Sequence, residues 1–462
     1  MFIELEKREK EKIAAIDTAG REVTYGGIIE FAEKWKEKIG ERCMILIIAS
    51  NSIGSLTGYL SCMINKDVPL MVGSGIKKDA LAHLVDTYHP KYLWMPEGME
   101  YEGAEKIWSE QGYCLVGTRL EQYPMFEELS LLLTTSGSTG SPKLVRHSYG
   151  NLEAQARNIS AFFELTEADR PLVSLPMQYT MGISSINSHL YVGATLLLTD
   201  ESMLSPIFWK FVSEQKASSI TGVPYSFEMM YRLRIYNKKF PDLNLLTQGG
   251  GKLSRDIQVK FAEYIQQNGG RYIATYGQTE GSARMAYLPA EYAISKCGSI
   301  GKAIPNGKLY LVDDDGNMIE NADTKGEMVY EGPNVTLGYA ECGEDLIKGD
   351  ENHGKLYTGD IAYKDEDGMF YIAGRKKRFL KLFGHRVSLD ECEQLIKSEY
   401  AIECACTGDD KKLRIYLTDE KYQKLVKDYV LDHTELYADA IEVNILENIP
   451  KSEAGKILYS QL

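Results

Sequence analysis

No apolar run in the 462-residue chain approaches the ~18 residues of a membrane-spanning helix. The longest, such as Cys43–Ala49 and Ala194–Leu198, are strand-sized. The start, MFIELEKREKEK, alternates acidic and basic residues and has no apolar signal core. Positive charge is also short: 52 Lys and Arg stand against 66 Asp and Glu, a formal net charge of −14. Broad nucleic-acid binding, which needs a basic face to displace counterions from phosphate, is therefore not expected. An anionic ligand is not excluded, because a cradle of backbone N–H groups can hold phosphate on a protein of either sign. Eight cysteines, at 43, 62, 114, 297, 342, 392, 404 and 406, include no Cys-x-x-Cys pair. The nearest two, Cys404 and Cys406, have no histidine close by in sequence. Reduced, mostly buried thiols and a cytoplasmic location are expected, ahead of a disulfide framework or metal centre. No internal repeat, low-complexity tract or long linker interrupts the chain.

What is present is ordinary globular composition, 44% hydrophobic and 26% charged. The length accommodates roughly two to four domains. The hydrophobic pattern predicts helices over Ile28–Ile39, Ile53–Ile64 and Lys77–Tyr88, with strands over Met44–Ala49, Val68–Val72 and Lys91–Met95. After Gly150 it predicts helices over Leu152–Phe163, Ser184–Tyr191 and Ile257–Gln267, and strands over Pro171–Leu175, Thr195–Leu198 and Arg271–Ala274. Such alternation indicates an α/β fold with a parallel sheet and crossover helices. From about Gly298 the texture becomes β-rich: Leu309–Asp313, Gly326–Glu331 and Phe370–Ala373 lie between Asp- and Gly-rich turns. Beyond Arg375 a small α+β unit is expected, with helix Leu389–Tyr400, strand Arg414–Thr418 and a helical stretch near Glu420–Val430. The expected organisation is a large N-terminal domain over 1–374, with a β-rich subdomain at about 298–374, and a small C-terminal domain over 375–462. The boundary falls at Gly374–Arg378, where glycine precedes the basic cluster Arg-Lys-Lys-Arg.

Leu131–Lys143 reads LLLTTSGSTGSPK, an apolar strand running into small, hydroxylated and glycine residues. Gly137 and Gly140 permit close backbone approach to an anion. The hydroxyls of Thr134, Thr135, Ser136, Ser138, Thr139 and Ser141 are potential donors, and Lys143 adds a cation, a set suited to a polyphosphate. Taken alone, the segment reads equally well as a Ser/Gly turn, and its spacing is not that of the G-x-x-x-x-G-K-[ST] loop.

Further motifs follow in order: PMQYTMG (176–182), QGGG (248–251), TYGQTE (275–280), GEMVYEGPNVTLGY (326–339), YTGD (357–360), GRKKRFLKLFGHRVSLDECE (374–393) and PKSEAGK (450–456). Together with the glycine loop they resemble the adenylate-forming superfamily of acyl-CoA synthetases, peptide-synthetase adenylation domains and firefly luciferase. The resemblance runs from about residue 24 to the end of the chain. It implies ATP-dependent conversion of a carboxylate to an acyl-adenylate, then displacement of AMP by a thiol, with ATP, Mg²⁺ and coenzyme A as cofactors. Catalysis would rest on positioning and charge stabilisation, since two anions must be brought together.

The resemblance also assigns residues. Thr135, Ser136, Gly137, Ser138, Thr139, Gly140 and Lys143 would cradle phosphates. Glu280 would help hold Mg²⁺, with Thr279 near the α-phosphate. Tyr276 would line one face of the adenine, with Gly249, Gly250 and Gly251 opposite. Asp360 and Arg375 would contact the ribose. Lys456 would bridge the attacking carboxylate and the α-phosphate. The C-terminal domain would be a mobile lid turning about a hinge at Arg378, a position where the family usually has aspartate or lysine. Lys381 and Gly384 would lie on the face used for thiol transfer.

The acid is less defined. PMQYTMG carries no aspartate to pair with an α-ammonium group, which disfavours an α-amino acid. Tyr179 stands where many relatives have histidine. Gly277 would leave room for the carboxylate end, and Val223, Pro224 and Tyr225 are candidates for the acyl wall. A fatty, aryl or succinylaryl acid all fit, and the compact size is similar to that of o-succinylbenzoate–CoA ligases. An acyl carrier protein's phosphopantetheine is the alternative thiol. No carrier domain is expected after Lys456, so the enzyme would stand alone, as monomer or homodimer. A non-catalytic nucleotide-binding homologue is the alternative of a different class.

Overall fold

A computed structural model describes residues 4–134, 143–376, 378–382, 385–409, 411–433, 436–452 and 456–462. Its contacts divide the chain into two units, Met1–Lys308 with Glu331–Leu356, and Leu309–Tyr330 with Tyr357–Leu462.

The first unit is α/β. Among the described residues, one sheet has nine strands in the spatial order Lys302–Ala303, Ala286–Leu288, Arg271–Tyr276, Leu245–Gln248, Ser219–Gly222, Pro171–Val173, Leu196–Leu198, Ile13–Asp17 and Glu22–Thr24. The run from Arg271–Tyr276 to Ile13–Asp17 is parallel, and antiparallel strands close both edges. A second, eight-stranded sheet is built around Leu129–Thr134, Val68–Gly73, Met44–Ala49 and Tyr92–Pro96, which pair parallel to one another. Met44–Ala49 is apolar throughout because both of its faces are covered. Ile45, Ile47 and Ala49 enter one core, while Met44, Leu46 and Ile48 enter another. The first of these cores also takes Phe31 and Trp35 from helix Tyr25–Ile39, Leu56 and Leu60 from helix Ile53–Asn65, and Ile183, Ile186 and Leu190 from helix Thr180–Val192. Helix starts follow their sequence signals: Thr24 Oγ1 accepts from Gly27 N at 3.0 Å, and Ser148 and Asn151 cap each other ahead of helix Tyr149–Phe163.

The predicted helices and strands are found with shifted ends. The helix expected from Ser184 begins at Thr180, and the strand expected to stop at Ala274 continues to Tyr276. The strands Ser219–Gly222 and Leu245–Gln248, four residues each, were not anticipated.

The second unit holds a five-stranded sheet, in the order Met318–Ile319, Lys308–Val312, Gly326–Glu331, Lys355–Lys364 and Phe370–Arg375. It continues into the hairpin Phe379–Leu382 and His385–Ser388 and a three-stranded sheet of Cys404–Asp409, Lys412–Leu417 and Ile441–Ile445. Ile396, Cys404, Cys406, Leu413, Ile415, Val426 and Val430 form a core of this part. All eight cysteines are free thiols and six are buried, as the spacing suggested. No helix among the described residues is long and apolar enough to cross a membrane.

Candidate functional site

Four neighbouring parallel strands end at nearly one level: Gly222 pairs with Gln248, and Gln248 with Ala274, while Pro171–Val173 lies on the far side of Ser219–Gly222. Several candidates of the first unit leave from these carboxyl ends, while the glycine loop and Lys143 lie between two strands of the eight-stranded sheet. Tyr179 precedes helix Thr180–Val192 after the first strand. Val223 and Pro224 follow Gly222, the triple glycine follows Gln248, and Tyr276 ends the last strand. The carboxyl edge of a parallel sheet is where open α/β folds bind ligands.

The triple glycine is shaped by its neighbours. The Gln248 amide donates to Gly249 O at 3.2 Å and Gly251 O at 2.8 Å, and Thr275 Oγ1 donates to Gln248 O at 3.0 Å. A Cβ on Gly249 would lie 2.7 Å from Thr275 Oγ1 and 2.9 Å from Met181 Cε. Gly250 adopts φ +79°, and a Cβ there would meet Val223 Cγ1 at 3.3 Å. One on Gly251 would meet Pro224 Cγ at 3.2 Å. The expected adenine wall and acyl wall are thus in contact. Tyr225 is 50% exposed, while Tyr179 is half-buried, its N–H donating to Pro176 O at 3.1 Å.

The turn after Tyr276 folds back tightly. Met285 N donates to Tyr276 O at 2.8 Å, and a Cβ on Gly277 would stand 1.8 Å from the Ala283 carbonyl oxygen. Glycine at 277 is therefore demanded by the chain's own packing, a reason separate from the room expected there for an acid. Gln155 Nε2 donates to Ser282 O at 2.7 Å, and Asn334 Nδ2 to Gly281 O at 2.7 Å, fixing the turn from two other segments.

Glu280, in the short turn Thr279–Gly281, accepts a 2.6 Å hydrogen bond at Oε1 from the Tyr339 hydroxyl. Burial, and then the Glu280 charge, push the Tyr339 phenol well above its ordinary pKa, so it stays a donor. Lys143 Nζ lies 3.6 Å from the centre of the same ring and 3.6 Å from Glu341 Oε1. Tyr339 reaches this place because Gly338–Ala340 pairs antiparallel with Leu144–Ser148, Tyr339 opposite Val145. Tyr339 was not among the candidates; its only signal was its position at the end of GPNVTLGY. The glycine loop joins antiparallel strands whose last pair is Thr134 and Leu144. Thr135, Ser136, Gly137, Ser138, Thr139 and Gly140 lie outside the described residues.

Among the described residues no group of three or more His, Cys, Asp and Glu is gathered for a metal. A lone carboxylate such as Glu280 fits Mg²⁺, which keeps waters and is commonly shared between one or two carboxylates and substrate phosphates.

In the second unit, Asp360 and Arg375 are directly opposed cross-strand partners, with Nε to Oδ1 at 3.2 Å. The Asp360 side chain is 5% exposed and that of Arg375 64%. Arg378 is held firmly: Nε donates to Asp390 Oδ1 at 2.5 Å and Nη2 to Glu393 Oε1 at 2.7 Å, and its guanidinium carbon lies 3.6 Å from the centre of the Tyr459 ring. Burial opposes its charge, but Asp390 and Glu393 outweigh burial and raise its pKa. Lys381 lies in strand Phe379–Leu382, opposite Arg386, and Gly384 is outside the described residues. Lys456 is on the returning arm of a hairpin, its N–H donating to Ser452 Oγ at 3.2 Å and its carbonyl accepting from Ser452 N at 2.8 Å.

Comparison with known proteins places the chain among relatives of similar sequence and fold. The chain is 25% identical over 402 residues to a 2-succinylbenzoate–CoA ligase of Bacillus subtilis, covering 85% of this chain and 77% of that one. It is 27% identical over 405 residues to a long-chain-fatty-acid–CoA ligase of Salmonella typhimurium, covering 83% and 68%. The fold matches that of o-succinylbenzoate CoA synthetase from Bacillus subtilis in complex with its acyl-adenylate intermediate, with a TM-score of 0.81, 20% identity, and 100% of this chain and 97% of that chain covered. The sequence model of AMP-binding enzymes matches residues 6–340, most of the first unit including every strand-end segment described above, and the chain therefore belongs to the AMP-binding enzyme family.

Proposed function

We propose that this chain is an acid–thiol ligase that joins a carboxylic acid to AMP from ATP, releasing pyrophosphate, and then passes the acyl group to a thiol, coenzyme A in the first instance. A carboxylate is a poor electrophile because its charge is delocalised; esterification to phosphate supplies the leaving group. The observation that carries the reading is the contact of Lys143 and Glu280 with one tyrosine beside the carboxyl edge of the sheet, a cation and an acceptor suited to phosphate and to its Mg²⁺.

In this reading Lys143 and the glycine loop hold the phosphates and Thr279 donates near the α-phosphate. Glu280 shares a magnesium ion that neutralises phosphate charge. Tyr276 and Gly249–Gly251 flank the adenine, and Asp360 accepts from the ribose hydroxyls with Arg375 beside it. Lys456 neutralises the repulsion between the attacking carboxylate and the α-phosphate. Tyr179, Val223, Pro224 and the space near Gly277 receive the acid. Residues 1–374 form the nucleotide-binding body and 375–462 a lid that turns at Arg378, presenting Lys456 for adenylation and Lys381 and Gly384 for thiol transfer. Such a lid must keep or exchange the Asp390 and Glu393 partners of Arg378, an ionic restraint on the joint.

ATP–pyrophosphate exchange over fatty, aryl and amino acids is the test. Exchange with a carboxylic acid lacking an α-amino group supports the reading; exchange with none favours a nucleotide-binding protein without the chemistry. Thioester formation with coenzyme A, compared with a phosphopantetheinylated carrier protein, then identifies the acceptor.

A further inference from the structure

Arg284 ends the tight turn that begins at Tyr276, and it is 1% exposed. Its Nη1 donates to Ser184 Oγ at 2.5 Å and its guanidinium carbon lies 5.2 Å from the centre of the Phe163 ring. Nε and Nη2 have no hydrogen-bond partner, and no carboxylate among the described residues pairs with it. Burial pulls its pKa down to about 10, so it remains a cation at neutral pH. An unpaired buried charge is among the costliest groups a fold can retain. The chain also spends backbone conformation to aim it: Ser282 and Ala283, neither of them glycine, adopt φ of +50° and +79° immediately before it.

The two open nitrogens are chemically informative. Nε and Nη2 form one edge of the planar guanidinium, with two parallel N–H groups that match the two oxygens of a carboxylate. The neighbouring helix Thr180–Val192 turns further polar groups inward. Ser185 Oγ and His189 Nε2 are buried without partners, and burial holds His189 neutral, its pKa pulled down to about 4. Ser174 Oγ is likewise buried without a partner. An acid with a purely apolar tail would leave the serine hydroxyls and the open guanidinium edge unsatisfied, whereas His189, whose Nδ1–H donates to Ser185 O at 2.7 Å, offers only an acceptor at Nε2.

We propose that Arg284 receives a second anionic group of the acid, so that the substrates are dianions: one carboxylate is adenylated and a distal carboxylate pairs with the Nε–Nη2 edge. This rests on the adenylation reading and names the substrate class within it.

The test compares acids that differ only in the distal carboxylate, adipate against hexanoate and 2-succinylbenzoate against benzoylpropionate, in ATP–pyrophosphate exchange by the full chain. The dianion of at least one pair should be preferred by roughly 100-fold or more in kcat/KM, the discrimination expected where buried donors are otherwise left unpaired. Arg284→Gln should abolish that preference, and Arg284→Lys should keep part of it. Arg284→Met should raise the melting temperature of the ligand-free protein by removing an uncompensated charge. Preference for the monoanion in both pairs would overturn the assignment. So would an equal loss with both acids in Arg284→Gln, which would put the guanidinium at the reacting carboxylate. If no acid supports exchange, the adenylation reading fails, and calorimetric binding of the same acids decides this one. Dianion binding lost in Arg284→Gln supports it; equal binding of both acids overturns it.

Discussion

Arg146 and Arg284 lie in the same unit and are equally hidden from water, yet their surroundings are opposite. Arg146 donates from Nε to Tyr339 O at 2.9 Å, from Nη1 to the carbonyls of Lys348 and Gly349, and from Nη2 to Leu337 O at 3.1 Å and Glu351 Oε2 at 2.5 Å. It ties the strand carrying Tyr339 to the segment that follows. Arg284 has a single serine. The fold can fully satisfy a buried guanidinium where the group is structural, so the donors left open at Arg284 have another use. Loss of a satisfied charge should lower stability, whereas loss of a ligand-facing charge should lower activity or affinity and spare stability.

The proposed function makes Lys456→Ala the largest test of the second kind. Adenylation should lose ~2.7–4 kcal/mol of transition-state stabilisation, the effect of removing one preorganised donor. Thioester release from a preformed adenylate and the melting temperature should both be retained. Equal loss in the two half-reactions would remove Lys456 from this class.

For the first kind, Arg146→Met should cost about 3 kcal/mol in denaturant unfolding, because loop carbonyls lose their donor in a buried place. Substrate preference, measured below the new melting temperature, should stay as it was. A stable but inactive Arg146→Met protein would break the distinction.

Asp360 tests an intermediate case, since Arg375 already pairs with it. Asp360→Ala should weaken ATP binding roughly 10- to 100-fold by calorimetry, the worth of charge-assisted hydrogen bonds to the ribose of ~1.5–3 kcal/mol. Unchanged affinity would make the pair a structural one.

The smallest effect concerns buried groups kept neutral. Burial lowers His147 to about 3 and His189 to about 4 from 6.5. Their contribution to stability is complete above pH 6.5 and is lost as pH falls toward those values, because the unfolded chain takes up protons that the folded chain refuses. Asp67 acts in the opposite sense: burial raises it to about 6, so between the ordinary 3.8 and 6 the folded chain holds the extra proton and gains stability as pH falls. The net expectation is a loss on the order of 1.4 kcal/mol per pH unit just below 6.5, read from denaturation midpoints. A flat profile from pH 7 to 5 would show that the histidines are not held neutral by burial.

Much of the fold was legible because it is written in local periodicity. Met44–Ala49 and Ile53–Asn65 follow from an apolar run and from helical spacing, and the order of such elements gave the α/β class. Ser219–Gly222 and Leu245–Gln248 escaped because four residues carry too little pattern, although they bear the segments expected to wall the adenine and the acid. Motifs named Lys143 and Glu280 one by one. Their contact through Tyr339 depends on pairing between strands that are distant along the chain, a register no local pattern encodes.

By itself, then, the order of residues determined the layered architecture and a set of chemically plausible donors, since both depend on neighbours along the chain. Tertiary structure decided which of those charges are satisfied. Whether a guanidinium is structural or available depends on the acceptors around it in space, and Arg146 and Arg284 cannot be told apart until the chain has folded around both.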